Sequence, residues 1–312
     1  MTRQSLIIDC DPGVDDAVGL LLAFGSPELE LLGITTVAGN VSLEQTTRNA
    51  RLLRQIAGRE DVPVFAGADR PLRREPAEAG DFHGVEGLGR LEAFEHAAPA
   101  AHGSAAQAIV EAVMSRPAGS VALAIMGPIT NLALALRAEP ALAQRLGPVV
   151  VMGGARSEGG NITASAEYNI WADPDAAAEV FDSECRITAL GLDATHQVRA
   201  TEDRIAAIEA LPGACARTAA SLLRFSQDVE RRIVGWEWAP LHDPCTVAWL
   251  LKPELFRVVP CRIEVETESD LTRGHTAVEF RVDRATARHH WVVEADAQGV
   301  FDLIAERLER LP

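Results

Sequence analysis

The chain has 312 residues, with 45 acidic against 29 basic side chains and a formal net charge of −16. That excess argues against nucleic-acid polymers and anionic membranes as partners. Apolar and charged fractions of 47% and 24% are ordinary for a globular protein with a sizeable core. No apolar run is long enough to span a bilayer, and the N-terminus enters a strand pattern with no signal-peptide apolar stretch, so a cytoplasmic protein is expected. Cys10, Cys185, Cys215, Cys245 and Cys261 are odd in number and widely spaced, which suits free thiols in a reducing compartment.

In chain order, residues 6–8 are an apolar strand, Pro12-Gly13 turns the chain, and residues 17–24 read as a helix. Residues 29–37 are a second strand, ending at Gly39-Asn40. Ser42 and Gln45 form a capping-box pattern for a helix to about residue 57. A short strand at 62–65 precedes a glycine-rich, charged stretch over 67–103, long enough for a functional loop. Then come a helix at 105–114, an apolar strand at 121–126, a turn into another helix, a strand at 149–152, a helix at 173–180 and a strand at 186–192. Helices are expected at 202–211 and 214–225. After residue 253 the pattern is strands alone (256–266, 276–282, 291–294), closed by a helix at 299–308.

Repeated strand–helix units imply parallel strands with right-handed crossovers. The expected fold is therefore α/β: an open, mainly parallel sheet flanked by helices, Rossmann-like at its core, with a C-terminal strand-rich extension. No repeat or linker divides the chain, so residues 1–312 read as a single domain. Asp11, Asn40, Met126 and the loop after Met152 each follow a strand, and such sheets bind ligands beyond the carboxyl ends of their strands.

Asp9, Asp11, Asp15 and Asp16 fall within eight residues, so each must be solvated, paired or bound to a cation. Capping by Asp15 explains one acid at a helix start but not Asp9 and Asp11 at the end of a strand. Oxygen donors with no His or Cys close in sequence, apart from Cys10, point to a hard cation, Ca²⁺ or Mg²⁺, and not to zinc.

The run Asp9-Cys10-Asp11-Pro12-Gly13-Val14-Asp15-Asp16-Ala17 resembles the N-terminal signature of the inosine-uridine-preferring nucleoside hydrolases. Later segments agree: Met152-Gly153-Gly154, Gly160-Asn161, Glu167-Tyr168-Asn169, Asp173-Pro174 and Leu241-His242-Asp243-Pro244. The resemblance implies a ribonucleoside hydrolase that releases ribose and a free base, with one Ca²⁺ per chain. It implies Asp11, Asp15, Asp16, Asp243 and the Met126 carbonyl as metal ligands, and Asp11 as general base. It assigns Asn40, Asn161, Glu167 and Asn169 to the ribose, with Asp15 and Met152 beside it. His83 becomes a base-side contact and His242 the proton donor to the leaving base. The partner it implies is a small ribonucleoside substrate, handled by a homo-oligomer (dimer or tetramer) in nucleoside catabolism or salvage.

Segment 224–238 is less determined. Trp236, Trp238, Gln227 or an arginine is positioned by sequence to approach the base. Two other classes stay open on sequence: an Mg²⁺ phosphatase or phosphotransferase using the Asp-x-Asp strand end, against which stands the lack of a glycine-rich phosphate cradle, and a non-catalytic ribonucleoside-binding protein on the same fold.

Overall fold

The computed structural model describes residues 3–77, 80–91 and 98–312, the side chains of residues 80 and 81 excepted. Nine strands form one sheet: β1 Gln4–Cys10, β2 Leu29–Thr36, β3 Val64–Ala66, β4 Val121–Ile125, β5 Val149–Met152, β6 Ile187–Leu190, β7 Phe256–Val265, β8 Thr276–Glu279 and β9 His289–Ala295. Their order is β3-β2-β1-β4-β5-β6-β9-β7-β8. The strands from β3 to β9 in that order pair in parallel, and β7 pairs antiparallel with both β9 and β8. The C-terminal strands are thus a continuation of the same sheet, joined through the β6–β9 pair.

Strand alternation divides the core into two apolar layers. Leu6, Ile8 and Cys10 of β1 belong to one buried cluster with the helices Val14–Phe24 and Ala214–Ile233, while Ile7 joins a second with Leu123, Ile125 and Trp291. The helix Val14–Phe24 is buried along nearly its whole length, as its almost unbroken apolar sequence requires.

The chain runs β1 to β3 towards one edge and then returns to place β4 on the other side of β1. The sheet order therefore reverses between β1 and β4, where an open α/β sheet leaves a crevice. Asp11 follows β1 and Met126 follows β4, so both stand at that reversal.

Several boundaries differ from expectation, three of them near the site. The helix expected to end at 225 runs to Ile233, because Phe225, Val229 and Ile233 continue an apolar line at four-residue spacing through a charged stretch. Asp173 precedes the helix Pro174–Asp182 as its cap instead of opening it, its side chain accepting from the Ala176 amide. The expected loop over 67–103 contains the short helix Gly80–His83, while its residues 78, 79 and 92–97 lie outside the described residues.

Candidate active site

The turn after β1 fixes the acids. Gly13 is the cap of the helix Val14–Phe24, so Asp16 occupies the third helical position and its carboxylate turns back to accept from the amides of Gly13 (2.9 Å) and Asp11 (3.2 Å). Asp16, not Asp15, does the capping expected from sequence. Asp11 accepts from the Asn40 amide at 2.7 Å through Oδ2, and its Oδ1 is buried with no hydrogen-bond partner. Gly39 and Gly127 enclose that carboxylate: a Cβ at Gly39 would lie 2.1 Å from Oδ2, and one at Gly127 2.4 Å from Oδ1. Both positions must be glycine for Asp11 to sit where it does.

Asp243 begins the helix Pro244–Leu251 but makes no side-chain cap bond, so capping does not account for it. Its carboxylate faces those of Asp15 and Asp16, and the three place oxygens within 4.8 Å of one another. Among the described residues no salt bridge neutralises Asp11, Asp15, Asp16 or Asp243. Burial and then the neighbouring carboxylates push Asp11 and Asp243 well above the usual carboxylate range, and burial followed by Asp15 pushes Asp16 up to about 7. Crowded, buried, oxygen-only donors with an orphaned Asp11 oxygen fit a hard divalent cation, which would reverse that repulsion. Asp9 is not one of these donors. It is fully buried, its Oδ1 accepts from Thr35 Oγ1 (2.6 Å) and Asn131 Nδ2 (2.8 Å) while its Oδ2 has no partner, and it lies outside the group formed by Asp15, Asp16 and Asp243.

A cavity of about 280 Å³ opens above the acids. It is lined by Asp15, Asn40, His83, Met126, Met152, Asn161, Glu167, Asn169, His242 and Asp243, so the fold gathers these sequence-predicted residues at one place. Asp11 and Asp16 are shielded and do not line it. Several of these residues have structural duties as well. Asn40 donates both amide hydrogens, to Asp11 O and Asp16 Oδ2, which leaves its Oδ1 for a ligand. Glu167 caps the helix Tyr168–Ala172 and accepts from the amides of Gly154, Asn169 and Ile170; burial raises it to about 7. Asn169 donates to the carbonyls of Met126 (2.7 Å) and Met152 (3.2 Å), locking the ends of β4 and β5 together. Asn161 Oδ1 accepts from the Tyr168 amide, so its NH₂ is the free end.

Three histidines line the cavity, His83, His196 and His242. His83 Nδ1 accepts from the Val14 amide at 3.1 Å, which puts the neutral ring's proton on Nε2. His242 Nδ1 lies 2.8 Å from Thr195 Oγ1, and burial lowers the ring to about 4. His242 is therefore neutral at pH 7, and in the tautomer where Thr195 donates to Nδ1 its proton is on Nε2. Sequence reasoning missed Thr195 and the neighbouring His196, whose ring lies 5.8 Å from that of His242 and whose Nδ1 pairs with Glu158 at 3.1 Å. The Gly191-to-His196 run followed a recognised strand end, the signal that found the other loops. From segment 224–238, Ser226, Val229, Glu230, Val234 and Trp236 line the cavity; Gln227 and Trp238 do not. Trp236 is a fixed wall, with the Arg199 guanidinium 4.2 Å from its ring centroid and His196 edge-on.

The family model for inosine-uridine preferring nucleoside hydrolases matches residues 6–302. The chain belongs to that family. It is 40% identical to a pyrimidine-specific ribonucleoside hydrolase RihA of Photobacterium profundum, covering 98% of both chains. It is 38% identical to the inosine-uridine preferring nucleoside hydrolase of Crithidia fasciculata, over 99% of this chain and 98% of the relative. A solved purine-preferring ribonucleoside hydrolase from Gardnerella vaginalis superposes with a TM-score of 0.91 at 31% identity, covering 98% of both chains. This member of the nucleoside hydrolase family is accordingly an N-glycosyl hydrolase of small ribonucleosides, which displaces the phosphotransferase and binding-only alternatives.

Proposed function

We propose that the chain is a Ca²⁺-dependent ribonucleoside hydrolase working as one unit, with Asp11 as general base and His242 as donor to the leaving base. The observation that carries the metal assignment is the unpaired Asp11 Oδ1 buried beside three mutually repelling carboxylates. Asp11, Asp15, Asp16, Asp243 and the Met126 carbonyl would hold the ion, and Ca²⁺ accepts such a mixed carboxylate and carbonyl set readily. When bound it supplies positive charge that polarises the attacking water and the ribose hydroxyls.

The chain's own groups do the rest. Asn40 Oδ1, Asn161 NH₂, Asn169 Oδ1 and Glu167 converge on the cavity and suit the alternating donors and acceptors of ribose hydroxyls. Their hold on the sugar can be used to favour a flattened, oxocarbenium-like ribosyl group. As water adds to C1′, Asp11 takes its proton; the C1′–N bond breaks and its electron pair stays on the base nitrogen. His242 donates from Nε2 to the departing base, its orientation fixed by Thr195. Five buried free cysteines support a reducing, cytoplasmic setting.

The roles are tested by comparing substrates. Asp11→Asn should lower kcat about 10²–10⁴-fold on every substrate. His242→Ala should slow natural nucleosides strongly while sparing p-nitrophenyl riboside, whose leaving group needs no proton. Equal losses on both substrates would assign His242 to sugar positioning instead.

A further inference from the structure

Beyond Asp15, Asp243 and Glu167, the cavity is lined by two further carboxylates with different surroundings. Glu158 is paired with His196. Glu230, on the last turn of the helix Ala214–Ile233, lines the cavity, yet its Oε2 is buried with no hydrogen-bond partner. The nearest cation in effect, Arg199, is engaged elsewhere: it donates to the carbonyls of His196 (2.7 Å) and Trp238 (3.0 Å) and lies over Trp236. Burial and Asp15 raise the Glu230 carboxyl while Arg199 opposes them, so Glu230 shares the field of the cavity acids. Around it Val229, Val234 and Trp236 are apolar, which suits the faces of a planar base.

We propose that Glu230 reads the donor edge of the leaving base and makes guanosine the favoured substrate. A carboxylate only accepts, so it needs N–H groups opposite its oxygens. Guanine offers N1–H and a 2-amino N–H side by side, a pair that meets two carboxylate oxygens in parallel once rotation of the Glu230 side chain turns its buried, unpartnered Oε2 to the base. Hypoxanthine offers N1–H alone, beside a carbonyl. The N3–H of uracil lies between two carbonyls, each of which repels the carboxylate. The amino groups of adenine and cytosine are single donors next to an acceptor nitrogen. The names of the relatives span pyrimidine-specific, inosine-uridine and purine-preferring enzymes, so membership in the family leaves the base open and this residue supplies the choice.

The inference rests on the hydrolase reading above, and the test separates the two. Ribose release is measured for guanosine, inosine and uridine with the Ca²⁺-loaded enzyme at pH 8, for the natural chain and Glu230→Gln. Guanosine should exceed inosine in kcat/KM by about tenfold or more, and Glu230→Gln should remove most of that margin, costing guanosine at least about fivefold more than inosine. Product inhibition by free guanine should weaken in the same variant. Guanosine no better than inosine, a parallel loss on both, or a preference unchanged in Glu230→Gln would each overturn the assignment of Glu230. Failure to release ribose from any nucleoside would overturn the hydrolase reading itself, and this inference with it.

Discussion

Gly39 and Gly127 act through the side chains they lack. Each presses backbone against the Asp11 carboxylate closely enough that a methyl group would overlap it. Neither has a positive φ, so alanine is conformationally allowed; at Gly127 the added methyl would meet Asp11 alone, while at Gly39 it would also press on the Pro128 ring. Gly127→Ala should therefore leave a folded protein, with unchanged circular dichroism, whose kcat/KM falls at least about 100-fold because a general base displaced by about an ångström loses its alignment. Near-natural activity in that variant would remove Asp11 from the role of base. At this scale the motif acids, Asn40 and the amide loop were legible in the sequence because their spacing carries chemistry. Asn131, Thr195, His196 and Glu230 were not, since a single polar residue on a helix or turn carries no pattern until the fold brings it to the site. Asp9 was visible only as a fourth acid; the fold ties its Oδ1 to Thr35 and Asn131.

The elements were legible wherever burial is two-sided. β4 and β5 announce themselves as unbroken apolar runs, and β1 by its apolar centre Leu6-Ile7-Ile8, because helices cover both faces. The helices of four and five residues, Leu192–Thr195 and Tyr168–Ala172, escaped because they are too short to show a period, yet both carry site residues. The C-terminal strands were legible as strands but not as part of the main sheet, because pairing partners so far apart in sequence leave no local trace. β9 secures that junction through Trp291, which is fully buried and packs against Gly154 and Gly191, where a Cβ would lie 3.0 and 2.2 Å from its ring. Those glycines follow β5 and β6, so one side chain holds the C-terminal strands against the loops that bear Glu167 and His196. Trp291→Ala should cost about 3–5 kcal/mol in urea unfolding, and it should raise KM for nucleosides as the loops loosen. A loss below about 1 kcal/mol would show that β9 is held chiefly by its backbone pairing.

For the whole molecule, the decisive balance is between a net charge of −16 and a buried knot of carboxylates at the sheet reversal. Asp16 is raised from 3.8 to about 7, and Asp11 and Asp243 are also raised well above the usual carboxylate range by burial and crowding. A carboxyl whose pKa is higher folded than unfolded binds protons more tightly in the folded state. Its contribution is present below the unfolded value and is lost as pH rises through the folded one. In the chelated protein these groups should therefore lower the thermal midpoint between about pH 4 and pH 7. Ca²⁺ compensates the charges, so the calcium-loaded protein should not show that decline. At a hundredfold excess over its dissociation constant the ion should add about 2.7 kcal/mol, roughly 4 °C in a chain of this size. Mg²⁺ should add less, because its tight octahedral shell fits several bulky carboxylates poorly. Asp243→Asn separates charge relief from folding damage: it should raise the midpoint of the chelated protein, by removing one repelling carboxylate, and abolish the response to Ca²⁺. A Ca²⁺ shift that survives in Asp243→Asn, or a chelated protein as stable at pH 7 as at pH 5, would mean that these carboxylates are not where the ion binds.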